Sequence, residues 1–381
     1  MSGVLILTAG FGEGHNAAAR NLAAATEKLH GAGSARVVDL FDLASPRLNA
    51  ISRRAYLKII NKLPRLWSAF YGWVDRSKVF PRHLWFLHKE MAVFEKLLRE
   101  EAPDCICSAY PVYGFMADRL RARGLLTVPF HNIVTDSISI NSLWTRPTCD
   151  AWFVPNRETA AAVAALGVSE SRIHDTGFPV QPFFSVEGLE LSPPDLSLPG
   201  RKPRVLYILN SGVNNAEETA RLLLAREDWE ITFAVGRDEA LYKRIARAAK
   251  GRKAPTTLLR WTDQIPMLLC THHAVISKAG GATTQEAIAA RCPMIVNQIV
   301  PGQEEGNYEL LRRRDIGALA RTPEEVMRAL DAAFGNHAAL WKQWRNSLEQ
   351  LARPRAAFEI CRLVKEPDAL ISAQNGTAQQ P

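Results

Sequence analysis

Residues 274–307 run AVISKAGGATTQEAIAARCPMIVNQIVPGQEEGN. Ala274-Val275-Ile276-Ser277 is a short apolar, β-branched run of the kind that forms a buried strand. Lys278-Ala279-Gly280-Gly281 follows, and Thr283-Thr284-Gln285-Glu286 leads into an alanine-rich helix over 287–290. A strand, a glycine turn and a helix start make an anion site: free backbone N–H groups and the positive end of the helix dipole point beyond the strand. A second strand over 294–299 ends in Val300-Pro301-Gly302-Gln303-Glu304-Glu305, a polar loop at the same carboxyl edge. Donors for a phosphate and acceptors for sugar hydroxyls thus stand side by side. That combination suits a nucleotide-sugar.

Each part also has a purely structural reading. Thr283-x-x-Glu286 has the letters of a capping box, which stabilises a helix start with no ligand present. Gly280-Gly281 is also compatible with a plain tight turn, and Pro301-Gly302 is a common turn dipeptide. Their joint occurrence at the ends of two successive strands of one βαβ unit favours function, because ligands of open α/β sheets bind there.

The run SKAGGATTQEAIAARCPMIVNQIVPGQEEGN resembles the donor half of the diacylglycerol glycosyltransferases related to monogalactosyldiacylglycerol synthase. More distantly it resembles the glycosyltransferase that completes lipid II. The resemblance covers most of the chain from Val4 to about Val364, is strongest in the second half and is patchy over 47–89. It implies an α/β fold of the GT-B type, two facing doubly wound domains with an interdomain cleft. It also implies a UDP-sugar donor, a lipid acceptor such as diacylglycerol, and inverting displacement at the anomeric carbon by a hexosyltransferase.

The bulk numbers agree with two domains. A chain of 381 residues with 47% hydrophobic and 23% charged residues suits a soluble globular protein of that organisation. Six scattered cysteines, with Cys105-x-Cys107 the only close pair, have no zinc-type spacing and read as reduced thiols of a cytoplasmic protein. Met1-Ser2-Gly3 followed by VLILTA reads as a first strand, not a signal peptide. No apolar run approaches the roughly 20 residues of a membrane span. A net charge of +8 points to an anionic partner surface.

A strand over 4–9, the turn Gly10-Phe11-Gly12-Glu13-Gly14-His15, a helix over 16–29 and a strand over 35–40 open the chain. A dinucleotide-binding pattern with Asp39 on the ribose fails here, because His15 stands where the third glycine belongs. By resemblance, Gly12-Glu13-Gly14-His15 corresponds to an acceptor-facing GGGH-like loop, with glutamate for one glycine. His15 is then the candidate general base. On the stretch alone, a histidine bridging a helix start fits equally.

Residues 47–89 carry ten Lys or Arg against one acid, Asp75, with eight interleaved aromatics. Arg53, Arg54, Lys58 and Lys62 with Trp67 and Trp73 favour the headgroup layer of an anionic membrane. A solvated face over core aromatics ranks second. Nucleic acid ranks last, since no binding motif accompanies the patch.

Helix and strand then alternate: helix over 91–99, strand over 104–108, helix over 115–123, strand over 127–134. Thr135-Asp136 ends the last of these, with Trp144 eight residues on. The resemblance places a histidine where this chain has Asn141, which cannot shuttle a proton. Another strand over 152–156 and a helix over 158–166 complete a first domain of residues 1–190. The Pro-rich stretch 191–203 reads as a linker.

A donor domain over 204–351 follows, with strands over 204–209 and 231–235 and helices over 217–224, 324–334 and 339–351. Asn210-Ser211-Gly212 stands where relatives carry a richer glycine loop, and Gly236-Arg237-Asp238-Glu239 resembles a GRNE-like turn. Trp261 reads as core or as a neighbour of the base. A helix over about 352–365 crosses back onto the first domain, and 366–381 reads as a disordered tail.

The resemblance assigns the donor to the backbone near Thr262, to Lys278, Gly280, Gly281 and Thr283, to Glu286 on the ribose, and to Gln303 and Glu304 on the sugar. His15, oriented by a carboxylate such as Asp136, takes the acceptor proton. Gly12 and Gly14 are expected to bend the loop tightly. No Asp-x-Asp pair occurs, so nothing in the sequence calls for a metal or other cofactor. The expected address is cytoplasmic, peripheral on the inner face of the membrane. A UDP-sugar epimerase of the same fold and a non-catalytic lipid- or nucleotide-binding relative are the alternatives.

Overall fold

The structure is a computed structural model that describes residues 3–52, 85–209, 215–300 and 304–365. Apolar runs too short to be helices become strands: β1 (Val4–Thr8), β2 (Ala35–Asp39), β3 (Cys105–Ser108), β4 (Phe130–Ile133), β5 (Ala151–Val154) and β6 (Ile173–Asp175). They form one six-stranded sheet in the order β2-β1-β3-β4-β5-β6. All of its pairings are parallel. VLILT and CICS are buried throughout, as a parallel sheet covered on both faces requires.

One face of this sheet carries Leu5, Leu7 and Ile106 into a core with Phe94, Tyr113, Met116 and Trp144. These come in part from helices α3 (His88–Glu101) and α4 (Val112–Ala122). α1 (Glu13–His30) follows β1, and α2 (Leu40–Ala44) follows β2. The last helix of the chain, α12 (Ala356–Lys365), packs on α1. The thiol of Cys361 lies 3.1 Å from Thr26 Oγ1, and Lys365 Nζ donates to Asp104 at 2.6 Å.

The second sheet is also wholly parallel. Its strands β7 (Arg204–Ile208), β8 (Glu230–Ala234), β9 (Thr256–Leu259), β10 (Ala274–Lys278), β11 (Met294–Gln298) and β12 (Gly317–Leu319) run in the order β12-β11-β10-β7-β8-β9. In the first unit α5 (Arg157–Ala165) lies between β5 and β6; the second sheet is joined by α6 (Ala216–Leu224), α7 (Glu239–Ala248), α8 (Ile265–Thr271), α9 (Gly281–Ala289) and α10 (Glu305–Arg314), and α11 (Pro323–Leu351) follows β12. Val205, Tyr207, Ile231, Phe233 and Ile276 face Trp229, Trp341 and Trp344 in the second core. α11 is two helical segments, since Gly335, Asn336, His337 and Ala338 leave the helical region.

The chain divides between Pro182 and Phe183 into two units, and residues 304–306 and 355–365 are grouped with the first. The Pro-rich stretch 191–203 belongs to the second unit. There Leu196 packs on the core, the Pro194 carbonyl accepts from His273 Nε2 at 2.8 Å, and the Pro203 carbonyl accepts from Glu230 N at 2.8 Å. Proline removes donors but leaves carbonyls, and these carbonyls are used.

The helix starts beside the expected site residues differ from the expectation. α1 begins at Glu13 under Gly12, and α9 begins at Gly281 under Gly280. The capping box expected from Thr283 and Glu286 therefore does not form: Thr283 lies inside the first turn, and no side chain caps this helix. The basic, aromatic cluster with Arg53, Arg54, Lys58, Lys62, Trp67 and Trp73 lies outside the described residues, as do Asn210-Ser211-Gly212, Gln303 and the tail 366–381.

Candidate active site

In the first unit the carboxyl edge of the sheet gathers the ends of β1, β2, β3 and β4. Thr8 closes β1, its hydroxyl bonded to Asn16 Oδ1 at 3.0 Å and its carbonyl accepting from the Tyr113 hydroxyl at 2.9 Å. Asp39 is wholly occupied with the backbone. It accepts from Gly10 N at 2.8 Å and caps α2 through Phe41 N and Asp42 N. These three bonds give Asp39 a structural role at the ends of β1 and β2.

Gly12 is extended (φ −164°, ψ 139°) and Gly14 lies inside α1, so neither makes the tight bend that the sequence suggests. What Gly12 supplies is space. A Cβ there would stand 3.3 Å from His15 Cδ2.

His15 sits in the first turn of α1, half-buried. Its Nδ1 lies 2.8 Å from the hydroxyl of Thr135, a buried residue just beyond β4. The ring of Tyr110 meets the imidazole edge to face at 5.3 Å, and Trp144 lies at 6.3 Å. Asp136, expected to orient His15 directly, instead accepts from Trp144 Nε1 at 2.8 Å and acts on His15 through its charge. The indole N–H takes Asp136 Oδ2, and the neighbouring Thr135 hydroxyl takes the place beside Nδ1. Burial pushes the His15 pKa below its ordinary value, against the Asp136 charge and the Ala109 carbonyl. Burial pushes the Asp136 carboxyl up, against His15 and the Trp144 bond. Asn141 caps the turn Ser142–Trp144 through Leu143 N at 3.0 Å, so it helps deliver Trp144 to Asp136.

In the second unit β10 ends in a register shift between Ser277 and Lys278, which pair with Val296 and Gln298. Ala279 N donates to the Gln298 carbonyl at 3.0 Å, and Asn307 Nδ2 donates to the Ala279 carbonyl at 3.0 Å. The glycine turn is thereby held from both sides. Thr284 N makes the first helical bond of α9, to Gly280 O. With no side chain closing the turn, α9 presents its amides and dipole as an anion site needs. Lys278, Gly280, Gly281, Thr283 and Glu286 all lie on this strand-turn-helix and are half-buried. Glu304 is buried just ahead of α10, in the short stretch grouped with the first unit.

Three acceptor oxygens here, Asn297 Oδ1, Gln298 Oε1 and Asn307 Oδ1, are buried without a donor among the described residues. Hydroxyl groups of a ligand can supply those donors. Thr262 lies past the end of β9, its hydroxyl accepting from Gln264 N at 3.1 Å. Trp261 is not a core residue: it is 65% exposed, with the Arg237 guanidinium 5.8 Å from its ring.

A half-buried, desolvated imidazole near a half-buried carboxylate, after the first strand of a parallel sheet, is the feature that known proteins share or lack. Residues 15–180 match the family model of monogalactosyldiacylglycerol (MGDG) synthase. This is the family the sequence resembles. The MGDG synthase match begins at His15 and includes Thr135, Asp136 and Trp144. The chain is 25% identical over 371 residues to a processive diacylglycerol beta-glucosyltransferase of Bacillus thuringiensis, covering 95% of this chain and 93% of that one. Among solved structures, MurG of Acinetobacter baumannii superposes with a TM-score of 0.61 at 13% identity, covering 96% and 99% of the two chains. MnaA of S. aureus, solved with UDP, gives 0.61 at 12% identity, covering 98% of each. The fold is of the GT-B type, built of two Rossmann-like units.

Sequence gave no sign of the contact between Thr135 and His15, 120 residues apart. The Thr-Asp followed by a tryptophan was the available signal, and it marks the network without saying which member touches the ring.

Proposed function

We propose that this chain is an inverting glycosyltransferase that moves a hexose from a UDP-sugar to a lipid hydroxyl, with diacylglycerol as the acceptor. The observation that carries this is His15, a half-buried imidazole with Nδ1 engaged and a carboxylate behind it. Burial keeps the ring neutral at physiological pH, the state a base needs. The named activity of the Bacillus relative supports the same class.

In this reading the acceptor O–H proton moves to His15 as the oxygen bonds to the anomeric carbon. The bond from that carbon to the diphosphate oxygen breaks, and UDP leaves with its electron pair. The amides at the start of α9, with Lys278, meet the negative charge of the diphosphate, so the reaction calls on no metal. Glu286 holds the ribose hydroxyls, the backbone near Thr262 reads the base, and Gln303 and Glu304 hold the sugar. The basic, aromatic stretch 47–89 brings the enzyme to an anionic membrane, on the cytoplasmic face where nucleotide-sugars are available. No helix among the described residues is long and apolar enough to cross a membrane.

The test is product analysis. Purified protein is incubated with labelled UDP-glucose, UDP-galactose or UDP-N-acetylglucosamine and vesicles of diacylglycerol in phosphatidylglycerol. The expected product is a β-linked glycolipid, formed less well at high salt or after Gln replaces Arg53, Arg54, Lys58 and Lys62. Label recovered only in an epimerised UDP-sugar, or no transfer to lipid with any donor, overturns the proposal.

A further inference from the structure

His15 meets the edge of the first sheet through a hydroxyl. Thr135 is buried, and its Oγ1 is 2.8 Å from Nδ1. Asp136, the adjacent residue, is turned to Trp144 Nε1 at 2.8 Å. The two groups that follow β4 have thus divided the work a single carboxylate does in a Ser-His-Asp triad, where one side chain both orients the ring and balances its charge.

We propose that Thr135 is the positioning residue that fixes His15: by engaging Nδ1 it sets the ring plane and tautomer and leaves Nε2 to meet the acceptor hydroxyl. Asp136 supplies charge from a distance. The inference rests on the reading of His15 as the base.

The surroundings fit this division. A hydroxyl can accept Nδ1–H without taking the proton, and the tautomer with its hydrogen there keeps the basic lone pair on Nε2. Tyr110, edge to face at 5.3 Å, holds the plane from one side. On the Gly12 side a Cβ would be 3.3 Å from Cδ2 and 3.7 Å from Nε2, so glycine keeps that edge of the ring uncrowded. Once the proton arrives, Asp136 and the Ala109 carbonyl favour the imidazolium. Asp136 is the charged group acting on His15 among the described residues. Its own ionisation is opposed by burial and supported by His15 and Trp144.

Thr135→Val keeps the shape and removes the hydroxyl, whereas Thr135→Ser keeps the hydroxyl. With the lipid-transfer assay, Thr135→Val is expected to lower kcat by about 10- to 100-fold, as loss of an orienting partner does. KM for the UDP-sugar should stay within about twofold, and the acidic limb of the pH–kcat profile should move to lower pH, because an imidazolium N–H loses its acceptor. Thr135→Ser should restore both. In the resting protein, ¹⁵N spectra of labelled histidine should show one tautomer of His15 in the wild type and a mixture in Thr135→Val. If Thr135→Val leaves that spectrum unchanged, or leaves kcat and the limb unchanged while His15→Ala abolishes transfer, the positioning role is wrong. His15→Ala retaining full transfer strikes instead at the base reading, and the spectrum then still decides what Thr135 does to the ring.

Discussion

α1 and α9 each begin under a glycine with no capping side chain, and each follows a central strand of its sheet, β1 or β10. Around the start of α1 stand a histidine, a carboxylate and the rings of Tyr110 and Trp144, and the ionisable groups are displaced from their ordinary pKa values by burial. Around the start of α9 stand backbone amides and carboxamide oxygens without donors. The contrast separates two kinds of work. Moving a proton needs a group whose charge state is poised by desolvation. Holding a diphosphate needs donors that are already free, and their charge state never changes.

The comparison breaks most easily at His15. His15→Ala should lower turnover by about 10²- to 10⁴-fold, the usual worth of a general base. UDP affinity by calorimetry should stay within about twofold, because the anion-holding features belong to the second unit. Turnover close to wild type would hand the proton to another group. A collapse of UDP binding would merge the two sites and end the distinction.

Glu286 offers the converse. A charged hydrogen bond contributes about 1.5–3 kcal/mol, so Glu286→Ala should weaken UDP by roughly 10- to 150-fold. The pH dependence of turnover at saturating donor should not move. An acidic limb that shifts in this variant would couple the carboxylate to the base and contradict the separation.

How much of this could be read from the chain follows from the range of the forces involved. β1 and β10 were legible because VLILT and AVISK are buried on both faces, and burial writes itself into consecutive residues. The glycine turns and the Thr-Asp with its tryptophan were legible as letters. The start of α9 was not, because Thr283-x-x-Glu286 satisfies a capping pattern that Gly280 pre-empts three residues earlier. The orienting partner of His15 was not legible either. Thr135 and Asp136 are adjacent on the chain, and nothing in their spacing says which of them meets the ring and which meets the Trp144 indole.

Stability measurements sharpen the point about α9. A true capping box exists on α11, where Thr322 Oγ1 accepts from Glu325 N at 3.2 Å and Glu325 Oε2 accepts from Thr322 N at 3.3 Å. Thr322→Ala should cost about 1 kcal/mol in urea denaturation. Thr283→Ala should change stability by no more than about 0.5 kcal/mol, since no cap is lost. Equal costs for the two would mean that α9 starts at Thr283 in solution and that its amides are not open.

The smallest effect separates His15 from histidines that are merely buried. Burial lowers His131, His272 and His273 to about 4. His273 shows why: its Nδ1 accepts from Arg204 N at 2.9 Å and its Nε2 donates to the Pro194 carbonyl at 2.8 Å, so a second ring proton would point at an N–H. An unfolded histidine titrates near 6.5, so the full contribution is present only well above that pH. As pH falls from 6.5 toward 4 the unfolded chain takes up protons that the folded one refuses, and stability declines. Between pH 7.5 and pH 6 each such histidine should cost about 0.8 kcal/mol. His131 lies in the first unit, its Nδ1 without a partner among the described residues, and has no counterpart to the Thr135 contact. His131→Gln should therefore flatten the decline by about 0.8 kcal/mol while leaving the pH–kcat profile where it was. Urea titrations at the two pH values, read beside the activity profile, measure both. A profile that moves with His131→Gln would place the working proton elsewhere than on His15, whereas an unchanged one shows that desolvation alone does not make a base: the ring also needs an orienting hydroxyl and a carboxylate in reach.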